Sequence, residues 1–159
     1  KYHVDGLLDC KVCLRPKETK KEKMICPKCK KKLTVGVLHR VDDLADREEK
    51  DIPTKKFIPH KYIIPLKEVI ANVFAVGSKS KKVEKEYDAM INKIGNEFYI
   101  LLHATEKEIL FSVSDQNIWV GIENMRRGNV KVSPGYDGLF GEVDVLPIKE
   151  NRSTQSRLL

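Results

Sequence analysis

The sequence predicts a mainly α-helical protein with a small amount of β structure, in which an N-terminal four-cysteine zinc module precedes a multi-helix domain that ends in a short β-hairpin. Two C-x-x-C pairs separated by twelve residues lie near the start of the chain. From residue 66 onward, apolar residues recur at spacings of three and four, which is typical of amphipathic helices. A glycine-rich stretch then separates two short β-prone runs, as in a hairpin. We expect the zinc module at residues 1–50, a linker at 51–60, the helical domain at 61–146 and a frayed tail at 147–159.

All four cysteines of the chain belong to the two C-x-x-C pairs. Four thiolates at this spacing can complete a tetrahedral shell around one Zn²⁺ and leave no open position for catalysis, so the zinc would be structural. Two disulfides are one alternative, but we expect no signal peptide, and the lysine-rich composition is typical of an intracellular protein. Two redox pairs are another, although a thioredoxin-like site needs a single C-x-x-C at a strand-to-helix junction. The predicted zinc ligands are Cys10, Cys13, Cys26 and Cys29.

The positive charge of the chain is concentrated at its start. Residues 1–40 contain twelve lysines and arginines against four aspartates and glutamates, whereas the remainder carries one net negative charge and the total is +7. A compact positive surface attracts phosphate backbones through the release of counterions, whatever the base sequence. The alternative is an ordinary lysine-rich, solvated face, and the charge alone does not decide between them.

In the zinc module, the lead-in before the first cysteine pair is predicted to be extended. His3 and Asp5 are candidates for a metal or active site, but polar residues in a lead-in are more often exposed, and we expect these two to be exposed. Between the pairs, a proline at a first helical position and the helix formers after it predict a helix over residues 16–23. Residues 33–37 are a β-prone run that contains one glycine. The apolar residues that follow recur on one helical face and predict a helix over residues 38–47.

In the helical domain, the pattern predicts four helices and leaves residues 96–103 open between a buried strand and a buried helical turn. Glycines at positions 77, 95 and 128 are expected to end helices, and a capping box at residues 105–108 to open one. The first and third predicted helices cover residues 66–75 and 105–113. The second is capped by Ser78 or Ser80 and ends before Gly95, and the fourth is capped by Ser114 or Asp115 and ends before Gly128. The β-prone runs at 130–132 and 142–145 flank the glycine-rich loop.

The residues themselves predict no catalytic site. We find no nucleophile elbow, no H-E-x-x-H motif and no Walker or Rossmann glycine pattern, and no apolar run reaches the length of a membrane span. An autonomous enzyme is therefore not expected.

Two other stretches are candidates for nucleic-acid contact. Residues 77–82 place hydroxyls, backbone amides and three lysines at a helix N-terminus, where the helix dipole favours phosphate; an ordinary cap with solvated lysines is the alternative. On the glycine-rich loop, Tyr136 and Phe140 are consistent either with stacking on bases or with packing against the hairpin.

Four segments, together with the double C-x-x-C, stand in the order found in one family of DNA repair enzymes: residues 1–6, 33–47, 64–70 and 134–141. Over roughly residues 1–146 the chain resembles the endonuclease Q family of archaea and some bacteria. The resemblance implies an enzyme that nicks DNA 5′ to deaminated bases (hypoxanthine, uracil, xanthine) and to abasic sites. It also implies that the metal-dependent catalytic residues, which would use Mg²⁺ or Mn²⁺, belong to an N-terminal polymerase-and-histidinol-phosphatase-type domain outside this sequence.

The resemblance therefore implies a fragment that engages double-stranded DNA with deaminated or abasic lesions, together with that N-terminal domain. The cysteine spacing predicts that the fragment holds a structural Zn²⁺, and we expect a cytoplasmic location. The basic zinc module and the run at residues 33–37 are implied to reach the DNA and help hold a flipped nucleotide. Alone, the chain is expected not to cut DNA. A protein-interaction module, as in transcription or translation machinery, is the alternative. The predicted nucleic-acid contacts are Lys30, Lys31, Lys32, Leu33, Thr34, Val35, Gly36, His39 and Arg40, followed by Ser78, Lys79, Lys81 and Tyr136.

Overall fold

The computed structural model describes residues 2–52, 58 and 60–146 of the 159-residue chain. These residues form seven α-helices and two small antiparallel sheets. The predicted mainly helical fold with a small amount of β structure is therefore confirmed. The described residues divide into two compact units. One contains those up to residue 58 together with Val132–Val143, and the other contains His60–Lys131 together with those from Asp144 onward.

The first unit begins with a short hairpin. Strand β1 (Asp5–Leu7) runs antiparallel to strand β2 (Val12–Leu14), with Gly6 opposite Cys13. A single 3₁₀ turn (Leu8–Cys10) joins the two strands. The first cysteine pair therefore lies on this hairpin.

Helix α1 (Pro16–Lys21) lies where the sequence predicts a helix and ends two residues earlier. Its proline occupies the first position, where no intrahelical N–H is needed. The Glu18 carboxylate accepts a hydrogen bond from the Arg15 amide at 2.7 Å. This bond satisfies a backbone donor at the start of the helix.

The β-prone run at residues 33–37 does not form a strand, which corrects the sequence prediction. Thr34 makes one isolated bridge with strand β1, and the chain then enters helix α2 (Val37–Leu44). A Cβ atom at Gly36 would lie 2.5 Å from the carbonyl oxygen of Val4. This close approach of two backbone segments requires glycine and replaces the predicted strand pairing.

The lead-in packs against the start of α2, and the prediction that Asp5 is exposed is wrong. The Asp5 side chain is fully buried, and its carboxylate accepts a hydrogen bond from the Gly36 amide at 2.7 Å. The carbonyl oxygens of Tyr2 and His3 accept hydrogen bonds from the first two amides of α2. The N-terminal donors of this helix are thus satisfied within the unit.

Within its described residues, the second unit contains five helices, four of which lie where apolar periodicity predicts them. The other occupies the ambiguous residues 96–103, where the Asn96 side chain caps a helix by accepting a hydrogen bond from the Tyr99 amide at 2.9 Å. The helices are α3 (Leu66–Phe74), α4 (Lys81–Ile94), α5 (Glu97–Leu102), α6 (Glu106–Ser112) and α7 (Asn117–Arg127).

The apolar faces of these five helices form one core. Helix α3 packs against both α4 and α7, which explains why its apolar stripe is broad. Burial of one leucine or isoleucine side chain stabilises a fold by about 1.5–3 kcal/mol. The fully buried residues include Leu66, Val69, Ile70, Val83, Met90, Ile100, Leu101, Ile109, Ile118 and Ile122.

The last described elements are the predicted hairpin strands, β3 (Lys131–Ser133) and β4 (Glu142–Asp144). In the loop between them, Asp137 has a φ of 40° and Gly138 a φ of 89°, and one hydrogen bond between the flanking residues closes the turn. Positive φ at both central positions defines a type I′ turn, for which Asp-Gly is a favoured pair.

Two predicted segments fall largely outside the described residues. The tail at 147–159 lies outside them entirely, as do residues 53–57 and 59 of the linker. Among the helices that the structure does describe, none has the length and apolar character needed to cross a membrane.

Candidate metal centre and nucleic-acid surface

Three of the four cysteine thiols lie together in the first unit. The Sγ atoms of Cys10, Cys26 and Cys29 are all within 4.8 Å of one another. Cys10 ends the 3₁₀ turn, and the second pair lies on a tight turn in which the Lys30 amide donates a hydrogen bond to the Cys26 carbonyl at 3.0 Å. Sulfurs bound at about 2.3 Å to a tetrahedral Zn²⁺ are roughly 3.8 Å apart. The three thiols are therefore close enough to bind one metal ion.

Cys13 is not part of this three-thiol group. It lies on strand β2, three residues after Cys10, and its side chain is exposed. The structure thus brings together three of the four predicted ligands. The complete four-thiolate shell remains a prediction.

The thiols of the group perturb one another's protonation. The pKa of Cys10 is raised to about 11, chiefly by hydrogen bonding with the Cys29 thiol and then by burial. The pKa of Cys26 is lowered, chiefly because the Cys29 amide donates a hydrogen bond to its sulfur. A bound metal cation would replace the protons of these thiols, since a thiol that coordinates a metal is deprotonated.

The small core of the first unit gives a physical reason for a structural metal. Its buried apolar cluster consists of Val12, Cys26 and Leu33. So little apolar burial offsets only part of the conformational entropy lost on folding. A metal that joins the 3₁₀ turn to the second cysteine pair would supply folding free energy to the same region.

Three predicted DNA contacts, Lys30, Lys31 and Lys32, directly follow the second cysteine pair, and all three are exposed. The backbone of this lysine cluster is held in place by the left-handed conformation of Lys30 at φ 63° and by an isolated bridge between Lys32 and Ile25. The fold therefore fixes the backbone of the cluster and leaves its side chains accessible to solvent.

The other predicted contacts nearby divide into two groups. Val35 and Arg40 are exposed. Leu33, Gly36 and His39 are buried, and Leu33 packs in the small apolar core. These three residues therefore have little accessible surface, and their contact with DNA stays a prediction.

Asp5 and His39 form a buried pair that the sequence analysis did not identify. The Nδ1 atom of His39 lies 2.6 Å from one carboxylate oxygen of Asp5, while the other oxygen accepts the hydrogen bond from Gly36. One carboxylate thus fixes both the residue before α2 and a residue in its first turn. The available sequence signal was an acidic residue in an otherwise apolar strand, since such a residue needs a partner when it is buried.

Tyr136 packs against the first hairpin. A Cβ atom added to Gly6 would lie 2.5 Å from the Tyr136 ring, and Tyr136 forms an isolated parallel bridge with Val4. Of the two interpretations left open by the sequence, the geometry favours packing for Tyr136. Phe140, in the same loop, is 68% exposed.

Asp137 ties this loop to two other segments of the first unit. Its carboxylate accepts hydrogen bonds from the Leu8 amide and the Thr34 hydroxyl, each at 2.6 Å. These bonds, chiefly the one from Leu8, lower the pKa of Asp137 below its ordinary value. The hydroxyl of Thr34, a predicted DNA contact, is therefore engaged within the protein.

The predicted phosphate site before α4 has the geometry of an ordinary helix cap, and the depression beside it has a balanced charge. The Ser80 hydroxyl accepts a hydrogen bond from the Val83 amide at 3.4 Å, as in an ordinary cap. Lys81, the first residue of the helix, is exposed. A depression of about 410 Å³ beside the cap is lined by two lysines, two glutamates, a serine and a proline: Lys67, Lys79, Glu68, Glu84, Ser78 and Pro65.

Comparison with known proteins gives one family and one relative. The family described as the MJ0043 C-terminal domain matches residues 65–129, which include helices α3 to α7. Over 150 residues the chain is 32% identical to the "Uncharacterized protein MJ0043" of Methanocaldococcus jannaschii, covering 94% of this chain and 18% of that protein.

The chain is also similar to two crystal structures. PfuEndoQ, a novel lesion-specific endonuclease from Pyrococcus furiosus, matches with a TM-score of 0.73 and 27% identity over 94% of this chain. The resemblance to endonuclease Q is confirmed. A complex of endonuclease Q with a 27-mer duplex that carries an abasic lesion at the active site matches with a TM-score of 0.69 and 27% identity over 95% of this chain.

The chain covers only part of each of these relatives. It spans 37% and 38% of the two endonuclease Q chains and 18% of MJ0043. This is consistent with the prediction that it corresponds to a C-terminal part of an endonuclease Q-type protein.

Proposed function

We propose that this chain is the DNA-engaging part of an endonuclease Q-type repair nuclease. The whole protein would nick DNA 5′ to deaminated bases or abasic sites in the cytoplasm of an archaeal cell. Cleavage, with Mg²⁺ or Mn²⁺, would belong to a separate N-terminal domain. This chain would hold the duplex through the exposed lysine cluster and help to hold a flipped nucleotide.

The observation that carries this proposal is the match over 94% of the chain, at a TM-score of 0.73 and 27% identity, to a lesion-specific endonuclease. The related complex contains duplex DNA. The positive charge of the lysine cluster also supports DNA as the partner, because exposed ammonium groups release counterions from phosphates when they bind.

Zinc fits the thiol group because soft thiolates in a tetrahedral arrangement favour this metal. Cys10, Cys26 and Cys29 would hold it, with Cys13 as the predicted fourth ligand. The ion would fix the two cysteine-bearing turns and thereby the position of the lysine cluster that directly follows Cys29. With four thiolates it would have no open position for a substrate.

A salt-titrated binding assay tests the proposal. Fluorescence anisotropy of the zinc-loaded chain with an abasic and an intact 27-mer duplex should show affinity that falls steeply with salt. Lys31→Gln should weaken binding and reduce the salt slope by about 1. Lys17→Gln is the matched control, because the Lys17 ammonium already lies 2.7 Å from the Glu48 carboxylate and is compensated.

Three outcomes contradict this proposal. Affinity that does not respond to salt, or equal effects of the Lys31 and Lys17 substitutions, would remove the lysine cluster as a DNA contact. Robust nicking of a uracil-containing duplex by this chain with Mg²⁺ or Mn²⁺ would show that catalysis does not need a separate domain.

A protein-interaction module of transcription or translation machinery is the second candidate, and one groove of the first unit favours it. The groove has a volume of about 920 Å³, and its apolar residues include Leu38 and Val41. Five acidic residues and three basic residues line it, so it would repel phosphate and suit a basic protein segment. Absent or salt-insensitive DNA binding would favour this candidate. The charged lining residues are Glu18, Asp42, Asp46, Glu48, Asp51, Arg15, Lys17 and Arg47.

A further inference from the structure

We propose that a groove of the second unit binds an unpaired nucleotide of the DNA, which would give the chain a contact with nucleic acid beyond the lysine cluster. This inference rests on the proposed function and extends it to residues that the sequence analysis did not assign to DNA contact. The groove has a volume of about 550 Å³, enough for part of a nucleotide chain. Its charged and aromatic lining consists of His60, Lys61, Tyr62, Glu123, Arg126 and Arg127.

Tyr62 provides a flat and accessible surface in this groove. Its side chain is 84% exposed. The His60 ring meets it nearly perpendicularly, with 5.0 Å between ring centroids and 89° between planes. A perpendicular contact supports the tyrosine ring and leaves at least one of its faces open. An open aromatic face is what proteins use to stack on bases without sequence preference.

Two accessible cations accompany this ring. Lys61 is exposed, and the Arg127 side chain is 67% exposed with its Nε atom 2.6 Å from the Glu123 carboxylate. A guanidinium has five N–H donors. Arg127 can therefore bind a phosphate while it keeps its contact with Glu123.

Arg126 removes a source of repulsion from the groove. Its guanidinium donates hydrogen bonds to the carbonyl oxygens of Ile100, Leu101 and Ala104, each at 2.8 Å. These oxygens lie at the C-terminal end of α5, where the helix dipole is negative and would repel phosphate. Arg126 is thus a positioning residue that neutralises this end of the helix.

The charge balance distinguishes this groove from the depression beside the cap of α4. Here the lining holds three permanent positive charges, on Lys61, Arg126 and Arg127, against one carboxylate. Beside Ser78, two lysines are balanced by two glutamates. Net positive charge beside an open aromatic ring is the combination that binds single strands. Both faces of a base inside a duplex are covered by its neighbours, and an extruded base exposes them, so the ligand that fits an open ring is an unpaired nucleotide.

The experiment uses the full zinc-loaded chain and a short fluorescein-labelled oligothymidylate. Tyr62→Ala should weaken binding about tenfold, whereas Tyr62→Phe keeps the ring and should bind within about twofold of the wild type. Lys61→Gln and Arg127→Gln should each reduce the salt slope by about 0.7. Phe111→Ala is the matched control, because Phe111 is 80% exposed and does not line the groove.

Circular dichroism of each variant confirms that it is folded. If Tyr62→Ala and Phe111→Ala bind the oligothymidylate equally well, the groove is not a nucleotide-binding site. If Lys31→Gln weakens duplex binding while the groove variants bind oligothymidylate like the wild type, this inference fails and the proposed function stands. If the wild-type chain binds neither the oligothymidylate nor the duplex, both fail.

Discussion

The Nδ1 atom of His39 lies 2.6 Å from the Oδ2 atom of Asp5, although 34 positions separate the two residues along the chain. Both side chains are buried, and the second oxygen of Asp5 holds the Gly36 amide. Loss of one partner in such a pair leaves the polar atoms of the other unsatisfied in the interior, which costs more than the pair contributes.

We therefore expect Asp5→Ala to lower the free energy of unfolding of the first unit by about 3 kcal/mol. Urea unfolding of the zinc-loaded chain, followed by circular dichroism, measures the change. Asp88→Ala, at an exposed position of α4, is the control and should change stability by less than about 0.5 kcal/mol. A wild-type urea midpoint for Asp5→Ala would show that the buried pair contributes nothing.

Asp137 should make the first unit sensitive to acid. Hydrogen bonds from the Leu8 amide and the Thr34 hydroxyl hold its pKa below the ordinary value. Its contribution to stability is therefore fully present above the unfolded pKa of about 4 and is lost as the pH falls through the lower folded pKa. Asp137→Asn keeps a residue that tolerates the left-handed backbone but has no charge to lose.

We expect Asp137→Asn to be less stable than the wild type by about 1 kcal/mol near neutral pH. As the pH falls from about 5 to about 3, the wild type should lose more unfolding free energy than the variant, so the difference narrows. Urea midpoints across this range, at one fixed zinc concentration, check the prediction. Parallel pH profiles for the two chains would contradict it.

Arg126 should stabilise the second unit far more than its neighbour does. Lysine cannot reproduce a planar guanidinium that reaches three carbonyl oxygens, so Arg126→Lys should lower the free energy of unfolding by about 2 kcal/mol. Arg127→Lys keeps an exposed charge and should be almost neutral. Thermal unfolding compares the two variants, and faster amide exchange in α5 should accompany only the first. Equal melting temperatures would rule out this role for Arg126.

Metal binding should recruit Cys13 to the three-thiol group. Replacement of Zn²⁺ by Co²⁺ gives a thiolate-to-metal absorption that grows with the number of bound sulfurs. We expect Cys13→Ser to reduce this absorption and weaken metal affinity, because one ligand of a tetrahedral shell is lost. Purified wild type should hold one zinc ion per chain. An unchanged Co²⁺ spectrum in Cys13→Ser would limit the site to Cys10, Cys26 and Cys29.

Sequence patterns predicted most of the helices, because their positions depend on interactions between residues close together in the chain. Apolar periodicity located helices α3, α4, α6 and α7, because the buried stripe of a helix repeats every three or four residues. The residues at 33–37 have strand propensity, but Gly36 packs so closely on Val4 that the chain turns instead. Tertiary contacts commonly override β-propensity in this way.

The partners of Asp5 and Arg126 could not be predicted, for the same physical reason. Asp5 contacts a residue 34 positions away, and Arg126 contacts carbonyl oxygens 22 to 26 positions away. Such bonds depend on how elements pack, and no spacing rule along the chain encodes them. The lysine cluster was simpler to predict, because residues that are adjacent in the sequence stay adjacent in any fold.

The hydrogen bond between the Leu8 amide and Asp137 joins residues 129 positions apart, and the whole of His60–Lys131 is made between them. A ribosome adding about ten residues per second therefore completes the N-terminal half of this contact roughly thirteen seconds before its partner emerges. During that interval the Tyr136 ring is not yet present beside Gly6, so the nascent chain lacks this contact on strand β1. The order of synthesis thus leaves the first unit incomplete until residues 132–143 have been made, even though most of its sequence comes first.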